Sequence, residues 1–240
     1  MKATECVTVV MNTFNERRDW LKAAIDRVAP QVHSLVISAC EGDQNTDYLT
    51  EILPSNAIVV VLPRHEQLGK CPQQSFRQIN NALPHVQTEY FSWTSSDDLM
   101  HPGKYQRELD VLLSTGKQIV YSDYEMVDAD LRHLSFVRLG KYQYDRHLTT
   151  NFVTDLSLMR TELIRSFGVH GDRWRNYAFW DMWLRIFMAR GNVFVNLPQP
   201  MWQYRQDAES THVKRKRSKE MQAEADRDRR AMLKSHGVSY

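Results

Sequence analysis

The sequence predicts an α/β domain in which a mostly parallel central sheet is covered by helices on both faces. Short β-branched runs alternate with amphipathic helical patterns over roughly the first 120 residues, the order that parallel strands and crossover helices produce. Several runs end in polar residues, at the places where ligands bind such sheets. The chain has 240 residues, 42% of them hydrophobic, so it can bury a substantial core.

The elements of this first part have clear boundaries. Strands are expected where an apolar run is bounded by Pro, Gly or Asn, and helices where apolar residues recur every three or four positions. The expected strands are CVTVVM (6–11), SLVIS (34–38), AIVVVL (57–62), the aromatic run after Glu89, and QIVYS (118–122). The expected helices are the segment from Trp20 to Val28, QQSFRQINNAL (73–83), and the segment from Tyr105 to Leu112, which ends near Gly116.

The pattern is looser after residue 122. A hairpin is expected around Asp128–Asp130, and a strand over NFVTDLSLMR (151–160). The segment 177–191 is apolar on nearly all sides, which predicts a buried helix that ends at Gly191. NVFVNL (192–197) predicts the last strand.

The end of the chain differs from the rest in charge. Residues 213–240 carry nine Lys and Arg against four Asp and Glu, whereas residues 1–212 carry 22 against 25. We therefore expect one domain over 1–212, in two parts at 1–122 and 123–212, followed by a basic helical tail. The tail favours a solvated or self-associating helix, with contact to an anionic membrane surface or a lipid-linked acceptor as the alternative. Nucleic-acid binding is not expected, because the body is mildly acidic and no recognition motif accompanies the basic run.

The sequence contains no apolar run of about eighteen residues, the length that a membrane-spanning helix needs. Its first residues also lack the apolar stretch and cleavage site of a secretory signal. We therefore expect a cytoplasmic protein, with peripheral membrane contact through the basic tail as the alternative.

Polar residues stand at the carboxyl ends of three expected strands: Asn12-Thr13, the turn at 38–43, and Asp97-Asp98. Adjacent carboxylates repel each other unless a cation neutralises them. A divalent cation such as Mg²⁺ or Mn²⁺ is commonly held by one or two carboxylates, water and substrate phosphates. The structural alternative is a turn that places negative charge at the start of the helix near Pro102.

These segments occur in a specific order. VTVVMNTFNE is followed by VISACEG, NNALPHVQTEYFSWTSSDDLMHP, DMWLRI and YRQDAESTH. In this order the chain resembles the family-two glycosyltransferases of the GT-A fold, over about residues 6–212. The resemblance implies a Rossmann-like sheet whose first half, 1–122, binds a nucleotide-sugar and whose second half, 123–212, binds the acceptor.

The resemblance also implies roles for individual residues. Where the second strand of the family ends in base-binding Asp residues, this chain has Ser38-Ala39, so Glu41 or Asp43 takes that role. The metal motif implies Mn²⁺ or Mg²⁺ bound by Asp97, Asp98 and His212. The residues implied to contact the nucleotide-sugar are Asn12, Thr13, Asn15, Glu16, Glu41, Asn80, Asp97 and Arg205.

The family's acidic pair before a Trp-Leu-Arg helix is reduced here to one carboxylate, Asp181. As the catalytic base, Asp181 would take the acceptor proton, with a pKa raised by its apolar helix. As a structural residue, it would instead pair with Arg185 one turn later. Asp172, in the preceding loop, is the reserve candidate for the base.

The sequence therefore predicts a metal-dependent inverting glycosyltransferase. It would move one sugar per encounter from a nucleotide-sugar, UDP-sugar foremost, to a hydroxyl of a glycan or lipid-linked acceptor. Two alternatives remain open. A sugar nucleotidyltransferase would need a Gly-rich phosphate loop after the first strand, and NTFNERR contains no Gly. A non-catalytic nucleotide-sugar or glycan-binding module is favoured by the replaced family residues at Ser38, Ile79, Ser95 and Phe179.

Overall fold

The structure is a computed structural model that describes residues 1–63, 72–171, 173–174, 177–207 and 218–238. Its helices and strands alternate through most of the chain, as the sequence predicts. The helices are α1 (Ala3–Cys6), α2 (Arg18–Val28), α3 (Thr46–Ile52), α4 (Pro72–Ala82), α5 (Lys104–Thr115), α6 (Tyr144–His147), α7 (Thr161–Phe167), α8 (Ala178–Arg190) and α9 (Lys219–Ser235). The strands are β1 (Val7–Asn12), β2 (Ser34–Cys40), β3 (Ala57–Leu62), β4 (Tyr90–Ser95), β5 (Leu99–Met100), β6 (Ile119–Asp128), β7 (His133–Val137), β8 (Leu158–Arg160) and β9 (Phe194–Gln206).

The strands of the described ranges form one sheet in the order β3-β2-β1-β4-β8-β6-β9-β5, with β7 paired to β6. β3, β2, β1 and β4 are parallel, and β6 is parallel to β9. β8 runs antiparallel between β4 and β6. The sheet is therefore mixed, with its parallel part in the first half of the chain.

Helices cover both faces of the sheet, which is why the parallel strands are continuous apolar runs. Along β1, Val9 and Met11 face one helical layer and Val10 faces the other. α2 and α5 supply the first layer with residues such as Ile25 and Leu109. α4, α7 and α8 supply the second.

Two elements differ from the sequence prediction. The expected strand over 151–160 is wrong for its first part, because only Leu158–Arg160 pairs in the sheet and residues 151–157 form a loop. The last strand does not stop at 197 but continues to Gln206. Its register against β6 shifts near Pro198 and Pro200, which lack the N–H that a regular ladder needs.

α9 packs against α8 rather than lying free in solvent. Met232 and Leu233 are buried against Trp180 and Leu184. The basic run at 213–217 lies outside the described residues. In the part of the chain that the structure describes, no helix is long and apolar enough to cross a membrane.

Candidate functional site

The carboxyl ends of β1, β2 and β4 lie side by side. Asn12, the last residue of β1, is level with Ser38 of β2 and with Ser95 of β4. The turns that follow these strands therefore meet at one edge of the sheet. This edge collects most of the polar residues that the sequence singles out.

A side chain of α4 fixes two of these strand ends. Gln78 donates from Nε2 to the carbonyl oxygens of Thr13 and Ser38, at 2.8 Å each. Ser38 in turn donates from Oγ to the carbonyl oxygen of Gln78 at 2.9 Å. Gln78 is fully buried, and it holds the turn after β1 against the end of β2.

The sequence analysis missed Gln78 and selected Asn80 instead. Asn80 is exposed and donates to the carbonyl oxygen of Val169 at 3.2 Å, away from the strand ends. Two residues along a helix correspond to a rotation of about 200°, so the two side chains leave α4 on opposite sides. A usable signal was present, because Gln78 is a polar residue one turn before Ala82 on the apolar face of this helix.

The turns after β1 and β2 are joined through Asp43. Its Oδ1 accepts the backbone N–H of Asn15 at 3.1 Å and that of Asn45 at 2.9 Å. Asn15 has a positive φ of 54° and accepts the backbone N–H of Gln44 with its own side chain. Asp43 is buried, and its Oδ2 has no hydrogen-bond partner among the described residues. Glu41, the other residue predicted to bind the base of the nucleotide, is exposed.

The adjacent carboxylates after β4 have different surroundings. Asp98 is buried, accepting the backbone N–H of Arg205 at Oδ1 (3.1 Å) and the hydroxyl of Ser95 at Oδ2 (2.9 Å). Burial, and then the charge of Asp97, raises the pKa of Asp98 well above its ordinary value. Asp97 is half-buried, and its carboxylate has no hydrogen bond or ion pair within the described ranges. Asp98 thus holds β9 to the end of β4, and Asp97 is left available for a ligand.

A second carboxylate, Glu16, lies near Asp97. Burial, and then the charge of Asp97, raises the pKa of Glu16 to about 7. Two neighbouring carboxylates at the carboxyl edge of a sheet, one of them with a raised pKa, can together supply oxygen ligands to a divalent cation. Within the described residues no group of three or more His, Cys, Asp and Glu is arranged around one point, so phosphate and water would complete the coordination. His212, the third predicted ligand, lies outside the described residues.

The guanidinium of Arg205 lies beside these carboxylates and is buried. Its Nε donates to the carbonyl oxygen of Asp97 at 2.9 Å, its Nη1 donates to that of Ala129 at 2.7 Å, and it stacks on Trp20 at 4.1 Å. Burial lowers the pKa of Arg205, and the charges of Asp97, Asp98 and Glu16 oppose that effect. Arg205 therefore adds positive charge at the site and braces the backbone of the Asp97 turn.

Asp181 is buried under α9, at 3% side-chain exposure. Its Oδ2 accepts from Nε of Arg185 at 2.7 Å, and its Oδ1 lies 2.9 Å from Nε2 of His236. Burial by itself raises the pKa of Asp181, but the hydrogen bonds from His236 and Arg185 outweigh it, so the pKa is lowered. The expectation of a raised pKa is wrong, because the sequence does not reveal the contact with His236. Asp172, the reserve candidate, lies outside the described residues.

The parallel strands of this mixed sheet gather an unpaired buried carboxylate oxygen, two neighbouring carboxylates and a guanidinium at their carboxyl ends. This is the organisation of a nucleotide-binding α/β protein. The model of the family described as "Glycosyl transferase family 2" matches residues 8–171. The chain belongs to this family, as the sequence predicts.

Curated relatives agree with this membership. One uncharacterized glycosyltransferase of Rickettsia typhi is 22% identical over 198 residues, which cover 78% of this chain and 60% of the relative. Another, of Rickettsia conorii, is 25% identical over 119 residues, which cover 45% of this chain and 20% of the relative. The chain therefore spans less than two thirds of the length of these relatives.

Solved structures share the fold. TarS residues 1–349 of S. aureus in complex with UDP superposes with a TM-score of 0.65 at 12% identity, covering 97% of this chain and 65% of that one. Glucosyl-3-phosphoglycerate synthase of Mycobacterium tuberculosis, in complex with Mn²⁺, UDP and glucosyl-3-phosphoglycerate, superposes with a TM-score of 0.65 at 16% identity, covering 100% and 84%. The predicted GT-A fold is confirmed, with a mixed rather than a mostly parallel sheet.

Proposed function

We propose that this chain transfers one sugar at a time from a UDP-sugar to an acceptor hydroxyl, with inversion and with the help of a divalent cation. The observation that carries the proposal is the half-buried, unpaired carboxylate of Asp97 beside Glu16, at the carboxyl edge of the sheet. Family membership and the UDP complexes of structural neighbours support the choice of a nucleotide-sugar donor. A glycan or lipid-linked molecule is the proposed acceptor.

Asp43 is the residue that we propose contacts the base of the nucleotide. Its free Oδ2 is a buried acceptor that suits the imide N–H of uracil, a ring donor that adenine lacks. The backbone N–H groups of Asn15 and Asn45 hold this carboxylate in place through its other oxygen, Oδ1. Thr13 and Asn12, at the end of β1, lie between the base subsite and Asp97 and are the proposed contacts to the rest of the nucleotide.

Asp97 and Glu16 are the residues that would hold Mn²⁺ or Mg²⁺ next to the diphosphate, with His212 as a further predicted ligand. When bound, the cation supplies positive charge that stabilises the leaving diphosphate. Arg205 contributes a fixed positive charge next to the same carboxylates. Asp98, whose two oxygens hold the protein together, sets the position of Asp97 in this proposal.

The reaction requires a group that accepts the proton of the acceptor hydroxyl. That hydroxyl oxygen attacks the anomeric carbon while the bond from this carbon to the diphosphate oxygen breaks. Asp181 remains the sequence-based prediction for the base. Its two oxygens are already engaged by Arg185 and His236.

The proposal is tested by thermal unfolding of the protein with UDP-, GDP- and dTDP-sugars, with and without Mn²⁺. A ligand that binds only the native state raises its stability as RT ln(1 + [L]/Kd), so UDP-sugars with Mn²⁺ are expected to raise Tm most. The same mixtures are then assayed for release of free UDP. A rise in Tm without any release, over the whole panel, would identify a binding module instead of an enzyme.

A further inference from the structure

The loop before β8 reaches the same edge of the sheet as Asp97. β8 is antiparallel to both of its neighbours, and Leu158 is level with Ser92 of β4 and Val120 of β6. Residues that precede Leu158 therefore extend toward the carboxyl ends of β4 and β6. Asp155 stands three residues before Leu158, as Ser95 stands three residues after Ser92. Ser95 therefore lies further toward that edge than Ser92, and Asp155 lies on the same side, in the turn that precedes β8.

The backbone next to Asp155 is fixed by contacts with β4 and α5. The carbonyl oxygen of Leu156 accepts from Nζ of Lys104 at 3.0 Å and from Oγ of Ser92 at 3.4 Å. Lys104 is fully buried and pairs with Glu108 at 2.6 Å. Ser157 closes the turn by donating to the carbonyl oxygen of Thr154 at 2.6 Å. The loop is thus anchored on β4 and α5.

The side chain of Asp155 takes no part in this anchoring. It is half-buried and has neither a hydrogen bond nor an ion pair with any described residue. Burial raises the pKa of Asp155 to about 7. A carboxyl group that is desolvated and unpaired differs from a structural aspartate, which satisfies its oxygens with donors.

The charged groups on the surrounding elements are engaged elsewhere. Lys104 and Glu108 of α5 pair with each other, and Asp98 is held by Arg205 and Ser95. Asp123 of β6 accepts from the backbone N–H of Leu139 and the amide of Asn196. Asp97 and Glu16 are both assigned to the proposed cation. Asp155 is therefore a carboxylate that has no role in the proposed nucleotide site.

We propose that Asp155, and not Asp181, is the catalytic base of this chain, a role that rests on the proposed function. Its carboxylate takes the proton from the acceptor hydroxyl as the oxygen of that hydroxyl bonds to the anomeric carbon. The carbon–oxygen bond to the diphosphate breaks, and its electron pair leaves with the nucleoside diphosphate. Asp181 instead positions α9 through His236.

The test compares Asp155→Asn, Asp155→Glu and Asp181→Asn with the wild type. The matched control is Asp145→Asn, which changes an exposed aspartate of α6. The assay follows Mn²⁺-dependent UDP release from UDP-glucose and UDP-N-acetylglucosamine, with water as the acceptor, between pH 5 and 9. UDP binding to each variant is measured separately by calorimetry.

We expect Asp155→Asn to lower kcat by roughly 10²- to 10⁴-fold, the usual contribution of a general base, while UDP affinity stays unchanged. Wild-type kcat should rise with pH through about 7, because the carboxyl group of Asp155 must lose its proton to act as a base. At saturating Mn²⁺, which keeps Glu16 deprotonated, this limb should vanish in Asp155→Asn and persist, with reduced kcat, in Asp155→Glu. Asp145→Asn should behave as wild type.

Two results would overturn the assignment in different ways. Full activity in Asp155→Asn, or a comparable loss confined to a well-folded Asp181→Asn, would return the role of base to Asp181 or another group and leave the proposed function standing. A wild type that binds no UDP, or binds UDP and releases none from either sugar nucleotide, would overturn the proposed function and the role of Asp155 together.

Discussion

Asp98 accepts the backbone N–H of Arg205 at 3.1 Å, across the gap between the end of β4 and the end of β9. With its other oxygen held by Ser95, this carboxylate acts as a connector between two strand ends that are 107 residues apart in the chain. The carboxylate of its neighbour Asp97 makes no hydrogen bond or ion pair with the described residues. The two carboxylates of this pair therefore have different roles. Asp98 stabilises the turn, and Asp97 is available to a ligand.

The two alanine variants of this pair should fail in different ways. Asp98→Ala leaves the N–H of Arg205 without its acceptor and should lower the free energy of unfolding by about 1–3 kcal/mol. Asp97→Ala should change it by no more than about 0.5 kcal/mol, as expected for a side chain without partners. It should nonetheless reduce Mn²⁺-dependent UDP release on the order of 10²-fold or more. Urea denaturation measures the free energy of unfolding of both variants, and the release assay measures their activity. A stable Asp98→Ala protein that has lost Mn²⁺ binding would instead identify Asp98 as the metal ligand.

Gln78 gives a prediction on the stability of the nucleotide edge. Gln78→Leu removes two hydrogen bonds and leaves the carbonyl oxygens of Thr13 and Ser38 buried without a donor, so we expect a loss of about 2–4 kcal/mol from the two acceptors together. Asn80→Ala, on the opposite side of α4, is the matched control; it removes one hydrogen bond, to Val169, and should cost no more than about 1 kcal/mol. Chemical denaturation of the two variants gives the comparison. Equal losses would mean that Gln78 does not clamp the strand ends.

The placement of the site follows from features that a sequence displays. The apolar runs of β1, β2 and β4 fix which residues pair, and their common register brings Asn12, Ser38 and Ser95 level at one edge. Because polar residues begin where each run ends, the location of Asp97 at the edge could be predicted from strand boundaries alone. The hairpin around Asp128 and the helix ending at Gly191 were equally readable from local pattern.

The partners of individual side chains could not be predicted in this way. Asp181 meets His236 across 55 residues, in a contact that depends on how α9 packs onto α8. Nothing in the local pattern of either helix encodes that packing, so the sequence suggested a raised pKa where the structure has a lowered one. The position of Asp155 could not be predicted from the sequence for a related reason. The segment 151–160 alternates like a strand, but only its last three residues pair, and this leaves Asp155 in a loop at the sheet edge.

Asp43 gives a prediction on base recognition. Asp43→Asn keeps an oxygen for the N–H groups of Asn15 and Asn45 and places an NH₂ group where the unpaired Oδ2 lies. Two donors would then face each other if the ligand is uracil, so UDP affinity should fall about 10- to 100-fold, corresponding to about 1.4–2.8 kcal/mol. Glu41→Gln, an exposed neighbour, is the control and should leave the affinity unchanged. Calorimetric titration with UDP decides; an unaltered Kd in Asp43→Asn would place the base elsewhere.

The contact between Asp181 and His236 predicts how the C-terminal helix responds to acid. A carboxyl group whose pKa is lower in the folded state stabilises that state above its unfolded pKa of about 3.9, and this stabilisation is lost as the pH falls through the folded value. In Asp181→Asn, Arg185 and His236 lose the carboxylate that they contact, so we expect a loss of about 1–3 kcal/mol at pH 7 and a shallower dependence on acid. Asp226→Asn, which removes a surface pair with Arg229 on α9, should cost no more than about 1 kcal/mol. Urea unfolding from pH 7 to pH 3 measures both variants. An unchanged acid dependence in Asp181→Asn would show that this carboxylate does not fasten α9 to α8.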